Sequence, residues 1–206
     1  MKDGPIAEST PSANKQHYEV PTAFFEKVLG SKLKYSCSLF NNNQKSLNDA
    51  ETEMLETYIE RAEIRSKQEI LDLGCGWGSF SLYAAQKFPN SNFTAVSNSN
   101  DQINFIKSKS KELGITNLLA LKQDMNQLNL KNNFDRIVSI EMFEHMRAYK
   151  NLLKRLSNLM VEDGKLFIHV FCHKQSAYLY EIKNERDWMT KYFFTCLLYT
   201  SPSPRD

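Results

Sequence analysis

The stretch Ile70-Leu71-Asp72-Leu73-Gly74-Cys75-Gly76-Trp77-Gly78 sets the reading of the whole chain. An apolar run of the kind a buried strand provides ends in an acid, Asp72, and three glycines then alternate with larger residues. Glycine lacks a Cβ, so the backbone after Asp72 can turn sharply and approach a ligand closely, and a helix starting there presents free N–H groups. A plain strand-to-helix turn does not need three closely spaced glycines, each of which costs chain entropy on folding. The loop therefore reads as a nucleotide cradle. Dinucleotide folds favour G-x-G-x-x-G, whereas Gly74, Gly76 and Gly78 lie two apart and Ser79 follows, which points away from NAD.

Outward from this loop, short β-like runs alternate with amphipathic segments. The runs are Glu69 to Leu73, Asn92 to Val96, Leu118 to Lys122, Asp135 to Ile140 and Lys165 to Phe171, and the helices between them begin near Ser79, Asp101 and Arg147. This alternation predicts an α/β fold: a Rossmann-like parallel sheet covered on both faces, with right-handed crossovers. Ligands of such sheets sit beyond the carboxyl ends of the strands, so the loops at 74–78, 97–102, 124–126 and 141–147 should converge. Upstream, Phe24, Phe25, Val28 and Leu29, then Met54, Leu55, Tyr58, Ile59 and Ala62, recur at helical spacing around Asn41-Asn42-Asn43, predicting a helical N-terminal cap over 17–66. Residues 1–16 are polar with two prolines and read as a disordered, dispensable lead.

The 206 residues, 41% hydrophobic and 24% charged, suffice for one domain with a core and an appendage. A net charge of +2 offers no basic stripe, so nucleic acid is not an expected partner. No apolar stretch approaches a membrane-spanning length and no leader peptide opens the chain, which predicts a soluble, cytoplasmic protein. Cys37, Cys75, Cys172 and Cys196 form no C-x-x-C pair, and His17, His145, His169 and His173 make no ligand cluster with them in sequence, so neither disulfides nor a metal is expected.

The D-x-G-x-G-x-G loop resembles the cofactor loop of class I S-adenosylmethionine (SAM) methyltransferases. Those enzymes usually carry an acid on the ribose about twenty residues on; here the second strand ends in Val96-Ser97-Asn98-Ser99-Asn100-Asp101-Gln102, whose short polar side chains can still hydrogen-bond a ribose. After the third strand, Asp124 can accept from an adenine amino group while the Met125 thioether packs on the ring. Tyr35-Ser36-Cys37-Ser38-Leu39-Phe40 places an aromatic beside small hydroxyls, suited to a lid over a sulfonium, although by itself the stretch reads more readily as cap packing. Together YSCSLF, ILDLGCGWGSF, VSNSNDQ, IVSIEMFEHM and FIHVFCHK resemble the coclaurine N-methyltransferase and cyclopropane fatty acid synthase group, over about Lys34 to Thr195. The resemblance implies SAM as cofactor. The cofactor site it implies comprises Tyr35, Ser36, Asp72, Gly74, Cys75, Gly76, Trp77, Gly78, Ser97, Asn98, Gln102, Asp124, Met125 and Ile140.

The run Asp135 to Met146, DRIVSIEMFEHM, delivers Glu141, Glu144 and His145 to the expected mouth of the site. If a helical turn starts at Glu141, the three share one face. Methyl transfer from a sulfonium is an in-line displacement that rests on alignment, and an amine acceptor must also lose its proton. A carboxylate beside an imidazole can take that proton, and carboxylates attract a cationic amine. The resemblance implies Glu141, Glu144 and His145 as base and substrate-binding group. It also implies the branch: cyclopropane synthases have Gly where Glu141 stands, so Glu141 favours a small amine over an unsaturated lipid chain. The cyclopropane branch binds bicarbonate with residues corresponding to Cys37, Glu144 and His169, all present here. Related enzymes continue past Thr195 with a Gly-Gly segment and two more strands. The last residues here, CLLYTSPSPRD (196–206), resemble translated vector or adapter sequence, so the core over 67–195 is expected to be incomplete and an inactive fragment stays an alternative. Oligomeric state is left open by the sequence.

Overall fold

The computed structural model describes residues 4–7, 21–41, 46–131 and 133–172, together with 178–179, 184, 186–187 and 198–199. His17, His173, Cys196, the 192–195 segment and most of the tail lie outside the described residues.

Two helices precede the sheet, α1 (Thr22–Val28) and α2 (Leu47–Arg61). Ser46 and Asp49 form a reciprocal capping box that starts α2 after the asparagine-rich loop. The chain then alternates β1 (Glu69–Leu73), α3 (Ser79–Lys87), β2 (Asn92–Ser97), α4 (Asn100–Glu112), β3 (Leu118–Lys122), β4 (Phe134–Ile140), α5 (Tyr149–Ser157) and β5 (Met160–His169). All pairings in the five-stranded sheet are parallel, in the order β3-β2-β1-β4-β5. The expected alternation and parallel sheet are therefore present, with β1 and β3 at the expected limits. A further antiparallel pair, β6 (Tyr178–Leu179) with β7 (Leu198–Tyr199), stands apart from it.

The sheet runs outward through β2 and β3 and then returns to the other side of β1, so the strand order reverses between β1 and β4. Crevices form at such switch points because the two following loops leave in opposite directions. Side chains alternate across the sheet: Ile70 and Val138 enter one apolar cluster, with Leu55, Tyr58, Phe80 and Phe93, while Leu71 and Ile137 enter another, with Leu152 and Leu156. Helix α2 thus packs on the same face as α3 and contributes to the core against the sheet.

Two expectations are corrected. Strand β5 was predicted over 165–171; it starts at Met160 and ends at His169, with a register shift opposite Phe134 and Arg136 that absorbs Val161 to Gly164. The sequence Glu162-Asp163-Gly164 reads as a turn, and a bulge hides a strand from period-2 patterning. The lead at 1–16 is not uniformly disordered: Ile6 and Ala7 are buried in the cluster that holds Leu73, Met142 and Met146. Ala7 bridges Met146, the Ile6 carbonyl accepts from Arg147 N at 2.8 Å, and the Asn126 side chain bonds both N and O of Ala7 at 3.1 and 3.0 Å. One isoleucine in a polar segment carries no periodicity, which is why composition misread it. Ile6→Ala should lower unfolding free energy by about 2 kcal/mol, read from chemical denaturation; a dispensable lead would leave it unchanged.

Candidate active site

The glycine loop is shaped by protein contacts at two of its glycines and by free space at the third. Gly74, Gly76 and Gly78 all take positive φ, at 83°, 53° and 79°. Gly74 N and Cys75 N both donate to the Val96 carbonyl at 3.0 Å, which turns the chain off β1. A Cβ at Gly74 would lie 2.6 Å from Met142 Cγ, and one at Gly78 2.6 Å from Ile106 Cγ1, so these two glycines serve close packing. A Cβ at Gly76 would meet no protein atom within 4 Å, so of the three glycines it alone leaves open space of the kind a closely approaching ligand needs. Asp72 is fully enclosed beneath the loop, where its carboxylate accepts from the Ser81 hydroxyl of α3. Burial raises its pKa to about 7 against that hydrogen bond.

This loop, the segment 33–37 and the end of β4 enclose a cavity of about 380 Å³. Its walls include Tyr35, Ser36, Cys37, Gly74, Cys75, Gly76, Trp77, Ser79, Ile140, Glu141 and His145. The Tyr35 ring stands edge-on to Phe25 with centroids 5.3 Å apart, and Phe25 leans on Trp77 at 5.0 Å. The aromatic beside the hydroxyls is thus linked through Phe25 to Trp77 of the loop, which is 1% exposed.

The other predicted loops leave the same edge of the sheet but do not line the cavity. Ser97 Oγ donates to Gln102 Oε1 at 2.7 Å and accepts from Ser99 N at 3.1 Å, and Ser99 caps α4. Asn98 lies between them. Gln102 is buried and its Nε2 has no protein partner. Asp124 caps a short 3-10 turn by accepting from Asn126 N at 2.7 Å, and Met125 packs into the core beside Leu73 and Val96. Three observations fit an adenosyl cofactor: the free space at Gly76, the unpartnered buried donor of Gln102, and Ser79 Oγ, buried in the cavity wall without a partner.

The catalytic segment departs from expectation. No helical turn starts at Glu141; its φ is +50°, in the left-handed region, and the 3-10 turn covers Phe143–His145. Glu141, Glu144 and His145 therefore do not share one face. Glu141 and His145 line the cavity, whereas Glu144 is wholly buried and accepts from Phe171 N at 3.0 Å through Oε1. Burial raises Glu144 to about 7, and the nearby Glu141 charge pushes the same way. Glu141 N donates to the His169 carbonyl at 2.7 Å, locking the left-handed turn to β5.

The fold also assembles a cluster that sequence separation concealed. Cys37, Glu141 and His169 place one donor atom each within 4.8 Å of one another, so the expectation of no Cys/His cluster is corrected. Glu141 stands beside Cys37 and His169, which with Glu144 are the three residues that the resemblance implies for bicarbonate. Burial raises the Cys37 thiol, with Glu141 adding to it, and lowers His169, leaving a thiol and a neutral imidazole at neutral pH. His169 Nδ1 shares a 2.8 Å hydrogen bond with Tyr58 Oη of α2. Tyr58 and the buried Lys34 also line the cavity, and sequence reasoning missed both. Tyr58 was read as a core position at helical spacing, and nothing distinguishes Lys34 from other lysines in the chain.

Residues 7–198 match the mycolic acid cyclopropane synthetase family. The chain belongs to that family. It is 42% identical over 198 residues to (S)-coclaurine N-methyltransferase of Thalictrum flavum subsp. glaucum, covering 96% of this chain and 55% of that protein. Identity to cyclopropane-fatty-acyl-phospholipid synthase of Escherichia coli K12 is 29% over 182 residues, covering 87% of this chain and 44% of that one. The crystal structure of a coclaurine N-methyltransferase bound to N-methylheliamine and SAH superposes with a TM-score of 0.92 at 38% identity, over 97% of this chain and 58% of that one. The chain thus spans about 55% of the length of the curated coclaurine-type relatives it matches. These matches bear out the resemblance to the coclaurine and cyclopropane group and the class I SAM methyltransferase fold. Among the described residues no helix is long and apolar enough to cross a membrane.

Glu144 binds its proton more tightly folded than unfolded, so the folded state is favoured below its unfolded pKa and loses that advantage as pH rises through about 7. Glu144→Gln keeps the acceptor for Phe171 N but removes the ionisation. Melting temperatures at pH 5 and pH 8 should therefore differ less in the variant, with a gain over wild type at pH 8 of about 2–4 °C.

Proposed function

We propose that this protein transfers the methyl group of S-adenosylmethionine to the nitrogen of a small amine. The observation that carries the reading is the Glu141 carboxylate in the wall of the cavity that Gly76 and Tyr35 also line. The higher identity to the coclaurine N-methyltransferase than to the cyclopropane synthase supports the same branch. A diffusible amine and a cytoplasmic setting complete the picture.

The residues that would hold the cofactor are Gly76 and its neighbours, Ser36, Ser79 and Gln102, with Tyr35 over the sulfonium. When bound, SAM supplies a methyl group made electrophilic by the sulfonium. The chain's own contribution is alignment and proton handling. Glu141 attracts a protonated amine into the cavity and orients its nitrogen. His145, in the same wall, accepts the proton that the nitrogen must lose. Glu144 acts from behind this wall, with a carboxyl near 7 that exchanges protons at neutral pH and couples to Glu141. The apolar walls formed by Leu33, Leu55, Phe80 and Ile140 exclude water from the transfer.

Methylene transfer to an unsaturated lipid chain is the second reading, favoured by the meeting of Cys37 and His169. In that reading an anion sits between them. The Glu141 carboxylate already stands there, and like charges repel. A cation is the better guest.

Labelled SAM with a panel of secondary amines tests the proposal. Transfer to amine is expected, and transfer to unsaturated phospholipid but to no amine overturns it. Gly76→Ala should abolish S-adenosylhomocysteine binding in calorimetry, because its φ of +53° and its open face are both lost. Glu141→Gln should keep that binding and slow transfer by about 100-fold, the low end of general acid–base contributions. If neither substitution changes turnover, the site is misassigned.

A further inference from the structure

Lys34 is a charged group in the cavity wall that the methylation reading leaves without a task. The residue is only 3% exposed. Its Nζ donates to Ser36 Oγ and, at 3.1 Å, to Tyr58 Oη, and it lies 4.8 Å from the Tyr58 ring centroid. Its backbone is clamped as well: Lys34 N donates to Glu51 Oε1 at 3.3 Å, and the buried Glu51 carboxylate also accepts from Gly30 N and Lys32 N at 2.9 Å. The segment 30–34 is thus tied to α2 by its main chain, which keeps the ammonium away from water. A buried ammonium is costly unless fixed oxygens compensate it.

Those oxygens are neighbours, since the Ser36 side chain also hydrogen-bonds Tyr58. Ser36 follows Tyr35 in the cavity wall. Tyr58 stands on α2 and shares its hydroxyl with His169, whose ring is within 4.8 Å of Cys37 and Glu141. Lys34 is therefore the joint between the cap segment, α2 and the end of β5.

We propose that Lys34 is a positioning residue whose ammonium holds the Ser36 hydroxyl and the Tyr58–His169 pair in one arrangement. Giving Ser36 to the cofactor and the Tyr58–His169 pair to the acceptor rests on the methyltransferase reading, whereas the hydrogen-bond chain does not. A methionine of similar length would fill the space but remove the ammonium from both oxygens, which separates positioning from packing.

The groups facing Lys34 are Glu51 and Tyr58 from α2, Cys37 from its own segment, Glu141 after β4 and His169 at the end of β5. Burial lowers Lys34 to about 8, while Cys37, Glu141 and Glu51 pull the other way. The charge is thus present at neutral pH and is lost as pH rises through about 8.

The test is calorimetric titration of S-adenosylhomocysteine into wild type, Lys34→Met, Ser36→Ala and the double variant, with kinetics of Tyr58→Phe on a secondary amine. Lys34→Met and Ser36→Ala should each weaken S-adenosylhomocysteine about tenfold, the scale of a hydrogen bond to a charged group. The double variant should be no weaker than the worse single one, as expected for two ends of one interaction. Wild-type affinity should fall above about pH 8, and Lys34→Met should lack that limb. Tyr58→Phe should lower kcat while leaving KM for SAM unchanged. The proposal is overturned if Lys34→Met binds like wild type, if the two losses add, or if the alkaline limb persists without the lysine. Should Lys34→Met fail to unfold cooperatively, Ser36→Ala decides: wild-type affinity with an unchanged limb overturns the proposal. A wild type that binds S-adenosylhomocysteine but methylates no amine refutes the amine reading, and the binding arm still judges Lys34.

Discussion

The carboxyl edge of the sheet depends on one close approach, between the loop after β1 and the loop after β4. Met142 lies where any side chain at position 74 would put its Cβ, 2.6 Å from Met142 Cγ. Because Gly74 leaves that space, Met142 drops into the apolar cluster with Leu73 and Phe143. The chain reaches Met142 and the 3-10 turn after a left-handed residue, Glu141 at φ +50°. A non-glycine residue there costs on the order of 1 kcal/mol, held in place by the bond from Glu141 N to the His169 carbonyl. The result separates two carboxylates that neighbour each other in sequence: Glu141 faces the cavity and Glu144 turns inward.

That separation gives the site its electrostatic character. Glu144 and Asp72 are buried acids raised to about 7, and Lys34 is a buried base lowered to about 8. Each sits in low dielectric with fixed partners, so each is poised to change charge near neutrality. Two of them also hold structure together. Asp72 accepts from Ser81 and so fastens α3 to β1, and Glu144 accepts from Phe171 N and fastens the chain beyond β5.

Much of this was legible beforehand. The three glycines and the strand–helix alternation identified the sheet, and five ordered motifs identified the family, because apolar periodicity and glycine are local signals. The misreadings share a cause. Ile6 packs on residues more than a hundred positions away, β5 is interrupted by a bulge, and the face shared by Glu141, Glu144 and His145 was inferred from a helix that never starts. None of these leaves a periodic trace.

Sequence alone determined the fold class and the family, and it offered a candidate cofactor loop and candidate chemical residues, since each is written in spacing within a few positions. Only the tertiary structure decided which of them meet. It left open space beside Gly76 while filling that beside Gly74 and Gly78, and it set Glu141 beside Cys37 and His169. It also brought Lys34, Ser36 and Tyr58 into contact. Such meetings follow from strand order and close packing across the whole sheet, where sequence distance carries no information about spatial distance.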